Sequence, residues 1–163
     1  MPTYARDTTV DSGASRAEIE RTLKRFGCED FGYMTSRDVA VIEFMLSGRR
    51  VRFVLPLPAP DADEFKYTPA RRNVRTPQER EKAYEQAVRQ RWRALSLCIK
   101  AKLEAIESQI ETFDEAFMSH LVLAGGRTMA DAVAPHLDEV IETGALTLSL
   151  PGQRGPLLLP PPS

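Results

Sequence analysis

The sequence predicts an α+β fold: a short N-terminal helix, a three-stranded antiparallel meander, a long central helix and helical C-terminal additions, in αβββα-like order. Two periodicities indicate it. Apolar residues three and four positions apart over 76–110 are typical of an amphipathic helix. Alternating side chains before position 56 are typical of strands with one buried face. The 163 residues, 42% hydrophobic and 28% charged, fit one domain with one core.

The first element is predicted to be a helix over 16–26. Ser15 and Glu18 form a capping-box sequence at its start, and Ile19 and Leu23 share one face. Three strand-like runs follow, at 31–34, 39–46 and 50–55, with a hairpin turn at 47–49 between the last two. The third run alternates apolar residues with arginines, so one face of the meander is expected to be partly lined by arginine.

The long helix is predicted over 76–110. Thr76, Pro77 and Glu79 supply an N-cap, a first-turn proline and a capping box. Its large apolar residues form one stripe: Tyr84, Val88, Trp92, Leu95, Ile99, Leu103, Ile106 and Ile110. A second stripe consists of small residues: Ala83, Ala87, Ala94, Cys98, Ala101 and Ala105. Both stripes are expected to face protein, which makes the helix central and places Trp92 in the core.

The other segments are read from composition and capping sequences. Residues 1–13 are predicted to be a flexible arm, 14–149 a single domain, and 150–163 a Pro-rich disordered tail. The Pro-rich loop 56–76 is expected to lack regular structure. Capping boxes at Thr112 and Thr128 predict a helix over 112–120 and another that ends near Gly144, kinked or delayed by Pro135.

Charge is unevenly distributed although the formal net charge is only −1. From 49 to 102 there are fourteen Lys and Arg against six Asp and Glu; from 104 to 163 there are two against nine. Arginine outnumbers lysine seventeen to five, which favours forked contacts to phosphate or carboxylate, although a GC-rich genome gives the same bias. The candidate nucleic-acid-binding residues are Arg49, Arg50, Arg52, Arg71, Arg72, Arg75, Arg89, Arg93 and Lys100.

Several stretches resemble a group of small proteins encoded in bacteriophages and prophages. They are 15–20 (SRAEIE), 50–58 (RVRFVLPLP), 87–95 (AVRQRWRAL), 99–105 (IKAKLEA), 112–117 (TFDEAF) and 120–123 (HLVL). The resemblance covers about residues 4 to 150. It implies an intracellular, phage-derived protein from a replication, recombination or host-takeover gene set, and it supplies no catalytic residues.

Enzyme chemistry is not predicted. His120 and His136 lie in separate segments without metal-ligand spacing, and the Gly125-Gly126 pair is expected to be a tight turn rather than a phosphate cradle. Cys28 and Cys98 are expected to be reduced and buried. No cofactor, metal, signal peptide or membrane span is expected, so the host cytoplasm is the predicted location.

Two functions remain open. The first is a non-enzymatic nucleic-acid-binding accessory protein that uses an arginine-rich surface; the second is an effector or inhibitor that binds a host or phage protein. Self-association through the long helix is a further possibility. The position of the arginines decides between them. One continuous basic surface favours nucleic acid, whereas arginines neutralised internally by the carboxylates from Glu104 onward favour a protein partner.

Overall fold

A computed structural model describes residues 13–70 and 73–145. In order, it contains α1 (Gly13–Arg25), β1 (Asp30–Thr35), β2 (Val39–Leu46), β3 (Arg49–Pro56), α2 (Asp63–Lys66), α3 (Pro77–Glu107), α4 (Phe113–Phe117), a 3-10 helix (Met118–His120), α5 (Met129–Val133), a 3-10 helix (Ala134–His136) and α6 (Leu137–Thr143). This confirms the predicted α+β fold and element order. The tail at 150–163 lies outside the described residues, as does the arm at 1–13 except for Gly13.

Gly13 is already helical, so the predicted start of α1 is wrong by three residues. Ser15 lies inside the helix and does not cap it. The buried residues of α1 are Arg16, Ile19 and Leu23, which extend its packed face one turn upstream of the predicted stripe. The Arg16 guanidinium lies over the Tyr33 ring at 4.7 Å, which gives this first turn a contact with the sheet.

The three strands form one antiparallel sheet in the order β1-β2-β3. Ser47 and Gly48 connect β2 and β3, with φ angles of 52° and 71°. Two left-handed residues in a two-residue turn match the right-handed twist of the paired strands. The turn aligns Glu43 with Arg52 on one face of the sheet and Ile42 with Phe53 on the other.

The core lies between one face of the sheet and a layer of helices. The sheet contributes the alternate residues Ala40, Ile42, Phe44, Leu46, Val51, Phe53 and Leu55. The helices contribute Ile19 and Leu23 from α1, Trp92, Ile99 and Leu103 from α3, and Phe117 from α4. All helical core residues lie against the same sheet face, which leaves the other face outermost. We call that other face the outer face of the sheet.

Helix α3 confirms the large apolar stripe but not the small one. Thr76 caps its start as predicted, with the reciprocal Glu79 contact present, and Trp92 is 1% exposed. The small stripe is only partly packed: Ala83 and Ala87 lie against the core, whereas Ala94, Cys98 and Ala101 are exposed. The prediction of a buried Cys98 is therefore wrong, because no described segment covers this side of the helix. Cys28 is half-buried, and neither cysteine is in a disulfide.

The end of α3 and the loop before it also differ from the prediction. The helix ends at Glu107, and Ile110, assigned to its apolar stripe, is 76% exposed. The loop contains the short helix α2 and a bridge between Tyr67 and Val74. Phe65 of α2 is buried and packs edge-on against Tyr84 of α3 at 5.7 Å. Burial of this aromatic ring contributes to the order of a segment that its prolines predict to be irregular.

The C-terminal part follows the capping sequences. Thr112 and Thr128 both cap helices through capping boxes, with Glu115 and Asp131 as their partners. At Pro135 the last predicted helix is interrupted by a 3-10 turn, and it resumes as α6 until Gly144. None of the described helices has both the length and the apolar content to span a bilayer.

Candidate binding surfaces

Two of the candidate arginines are held on the outer face of the sheet by a glutamate. Glu43 of β2 accepts hydrogen bonds from Arg50 at 2.6 and 2.8 Å through one carboxylate oxygen, and from Arg52 through the other. The Arg52 guanidinium also donates to the Gly126 carbonyl at 2.6 Å. Burial acts to raise the pKa of Glu43, but the two arginines outweigh it and hold that pKa below its usual range. The cluster therefore exposes much less positive charge than two separate arginines.

Arg49 is paired elsewhere. Its guanidinium donates two hydrogen bonds to the Asp114 carboxylate of α4, at 3.1 and 3.2 Å. This forked contact lowers the pKa of Asp114 and joins the β2–β3 hairpin to the C-terminal helices. Arg49 is thus neutralised by one of the carboxylates that follow position 104.

The candidates in the loop are structural or lie outside the described residues. Arg75 is half-buried, and its guanidinium donates to the Glu64 carbonyl at 2.8 Å. Its backbone N–H donates to the Lys66 carbonyl, so it fixes the loop against α2 just before α3 begins. Arg71 and Arg72 lie outside the described residues.

The remaining candidates lie on α3. Arg89 is half-buried, whereas Arg93 and Lys100 are exposed. Together with Lys82 they are spaced by seven, four and seven residues, close to whole turns, so the four cations follow one line. We call this line the α3 ridge. At 1.5 Å per residue it is about 27 Å long.

The candidate arginines do not form one surface. Arg50 and Arg52 point away from the core on the outer face of the sheet, and the α3 ridge points away from the core on the helical side. The core separates these two faces. Arg49 is paired with a carboxylate that follows position 104, and Arg50 and Arg52 are paired with Glu43, while binding by any of the candidates remains a prediction.

The sequence interpretation missed an apolar row on the outer face of the sheet. Met34, Val41 and Val54 are cross-strand neighbours on β1, β2 and β3. Met34 is 69% exposed and Val54 57% exposed. The alternation in β3 contained a signal, because Val54 occupies the arginine-bearing face, but only the strand register shows that apolar residues from all three strands line up there.

A pocket of about 390 Å³ opens beside this row. Gly32 of β1 lines it, together with Glu43, Met45 and Arg50 among others. The space above Gly32 is open, because a Cβ at this position would meet no atom within 4 Å. The pocket adjoins the edge of β1, which pairs only with β2 in the described part of the chain. The apolar row, the cluster of Glu43 with its two arginines, and the pocket all lie next to one another on the outer face of the sheet.

The residues considered for catalysis have structural positions. The His120 ring stacks on Phe53 with centroids 3.9 Å apart, and burial followed by the nearby Lys102 charge lowers its pKa. Gly126, with φ of 79°, closes a tight turn by donating to the Leu123 carbonyl at 2.8 Å. Within residues 13–70 and 73–145, no three His, Cys, Asp or Glu side chains cluster as metal ligands.

Comparison with known proteins adds no relative: no protein-family model, no curated protein and no solved structure matches this chain.

Proposed function

We propose that this chain is a non-enzymatic binding module that docks on a protein through the outer face of its sheet. The observation that carries the proposal is the exposed apolar row formed by Met34, Val41 and Val54. Contiguous apolar surface rimmed by polar groups is typical of protein interfaces, where arginine is also enriched. The Glu43, Arg50 and Arg52 cluster supplies such a rim.

The chemistry of the face defines its partner. The row needs apolar side chains, and the cluster carries two guanidinium groups against one carboxylate, which favours a partner with an acidic rim. The resemblance to phage and prophage proteins supports a host or phage protein in the cytoplasm of the host bacterium. The function is then that of an effector or inhibitor.

Photo-cross-linking tests the docking face. A photoreactive side chain at position 54 is expected to link one protein from the natural host, whereas the same group at Ile110, which is exposed but lies outside the sheet, does not. The double variant Met34→Asp, Val54→Asp is expected to reduce co-purification of that protein by about tenfold or more. Ile110→Asp is the matched control, because it places the same charge at another exposed apolar site. Equal recovery with the double variant would refute the proposal.

A second candidate function is nucleic-acid binding, favoured by the α3 ridge. Its exposed members, Lys82, Arg93 and Lys100, lie on one line and can track a phosphate backbone without contacting base edges. Fluorescence anisotropy with labelled single- and double-stranded DNA and RNA at low salt tests it. For duplex DNA, the logarithm of the binding constant is expected to fall with the logarithm of the salt concentration, with a slope of about −0.9 per phosphate contact. Lys82→Glu with Lys100→Glu should weaken it and Arg21→Glu should not; an absence of binding to all four oligonucleotides excludes this function.

A further inference from the structure

An apolar patch lies on the solvent side of α3. Ala94, Leu97, Cys98 and Ala101 are all exposed, and Leu97 keeps 56% of its accessible surface. Their spacing of three and four residues puts them on one stripe about two turns long. We call these four residues the α3 patch. Three of the side chains are small, so a second helix can approach the stripe closely.

Opposite charges bracket the α3 patch. Arg93 lies just before it and Glu104 just after it, and both side chains are exposed. Eleven residues separate the two, which is close to three turns, so they lie on the same line of the helix. Their midpoint falls next to Cys98. Arg93 and Glu104 are therefore placed symmetrically about the patch with opposite signs, and the exposed Lys100 lies between them on the same line.

This symmetry distinguishes between possible partners. A second copy of α3 that runs antiparallel about a twofold axis near Cys98 places Arg93 of each copy beside Glu104 of the other. A parallel copy would place like charges together, which is unfavourable. The antiparallel register also sets Ala94 against Ala101 and brings the two Cys98 side chains to the axis. Apolar and charged contacts thus select the same partner and the same orientation.

We propose that a second copy of this chain docks on the α3 patch to form an antiparallel homodimer. Because the outer face of the sheet points away from α3, such a dimer carries two docking faces on opposite sides. A partner with two matching sites would then be held with higher avidity than by one chain. The α3 patch shares no residue with the outer face, so either surface can fail its test without affecting the other.

Analytical ultracentrifugation over a range of protein concentrations tests the dimer by charge exchange. We expect Arg93→Glu and Glu104→Arg each to raise the dimer dissociation constant by about tenfold or more, because each brings like charges into contact. The double variant restores opposite charges, and its dissociation constant should return to within about threefold of the wild-type value. Arg21→Glu, at an exposed position of α1, is the matched control and should leave the constant unchanged.

Thiol cross-linking tests the register. In a Cys28→Ser background, mild oxidation with diamide is expected to link the two copies through Cys98, because the proposed twofold axis brings these side chains together. A disulfide requires Cα atoms within about 7 Å, so the link reports the register. A Cys98→Ser variant should lose the cross-link and remain dimeric in the ultracentrifuge. The proposal is overturned by a monomer at every concentration, by single charge reversals without effect, or by a double variant that associates no better than the single ones.

Discussion

Glu43 accepts three hydrogen bonds on the outer face of the sheet, from Arg50 and Arg52, so a single substitution at this residue is especially informative. Its carboxylate is half-buried and holds Arg50 and Arg52 together across two strands. We predict that Glu43→Gln lowers the free energy of unfolding by about 1–2 kcal/mol at neutral pH, because two neighbouring guanidinium groups lose their shared counter-charge. Urea denaturation measures the change. Glu18→Gln, at an exposed glutamate of α1, is the matched control.

The contribution of Glu43 depends on pH with a definite sign. Its pKa is lowered in the folded protein, so the unfolded chain binds the proton more tightly. The stability it supplies is complete above the unfolded value of about 4.3 and is lost as pH falls through the lower folded value. The difference between wild type and Glu43→Gln should therefore shrink below about pH 4. A difference of constant size down to pH 3 would contradict the ion-pair interpretation.

His120 gives a second pH dependence, at higher pH. Burial and Lys102 lower its pKa in the folded state, so protonation below about pH 6.5 favours unfolding. We predict that wild-type protein loses more stability between about pH 7.5 and 5.5 than His120→Phe, which keeps a ring against Phe53 but cannot titrate. His136→Phe, at an exposed histidine, should behave like wild type. NMR titration checks the cause directly: a His120 pKa at or above 6.5 would contradict it.

At the scale of elements, helix α3 depends on a defined start. The Thr76 hydroxyl accepts a hydrogen bond from the Glu79 N–H at 3.3 Å, and the Glu79 carboxylate accepts one from the Thr76 N–H at 2.7 Å. We predict that Thr76→Ala lowers the free energy of unfolding by about 1 kcal/mol, because the Glu79 N–H in the first turn loses its acceptor. Thr76→Ser retains the hydroxyl and should stay within about 0.3 kcal/mol of wild type. Equal losses for both variants would contradict the capping role.

Element boundaries could be read from the sequence at three of the four predicted capping boxes; the exception is the pair Ser15 and Glu18, which lies inside α1. Thr76, Thr112 and Thr128 each begin a helix in the structure, because the cap and its partner are only three residues apart. Helix α2 could not be read in this way. Its formation depends on Phe65 reaching Tyr84, nineteen residues further along the chain and in another element.

The candidate surfaces were harder to predict, because their properties depend on contacts between distant residues. Helical periodicity alone places the candidates Arg89, Arg93 and Lys100 on one side of α3, since this requires only one helix. The pairing of Arg49 with Asp114 spans 65 residues and leaves no local signal. Exposure of the small stripe on α3 depends on what packs against it, and periodicity alone does not distinguish a covered stripe from an open one. The apolar row needs the register of three strands.

At the scale of the whole molecule, one core joins elements from both ends of the described chain. Trp92 is packed at β1, where its ring meets Tyr33 edge-on at 6.3 Å. Phe117 lies at β2 and β3, edge-on to Phe44 and Phe53 at 5.9 and 6.2 Å. Phe44, Phe53, Trp92 and Phe117 belong to one hydrophobic cluster. A substitution at Phe117 should therefore shift the unfolding transition reported by Trp92, although their rings pack on different strands.

Replacement of Phe117 tests whether the core unfolds as one unit. Phe117 is 0% exposed, so we predict that Phe117→Ala lowers the free energy of unfolding by about 3–5 kcal/mol, a large part of the total for a small domain. The single tryptophan provides a separate probe. Urea midpoints from Trp92 fluorescence and from far-UV circular dichroism should fall together. Met118→Ala, at a half-exposed neighbour, should change the free energy of unfolding by less than about 0.5 kcal/mol with either probe. If the fluorescence midpoint stays at its wild-type value while the circular dichroism midpoint falls, the C-terminal helices fold independently of the β1 side of the core.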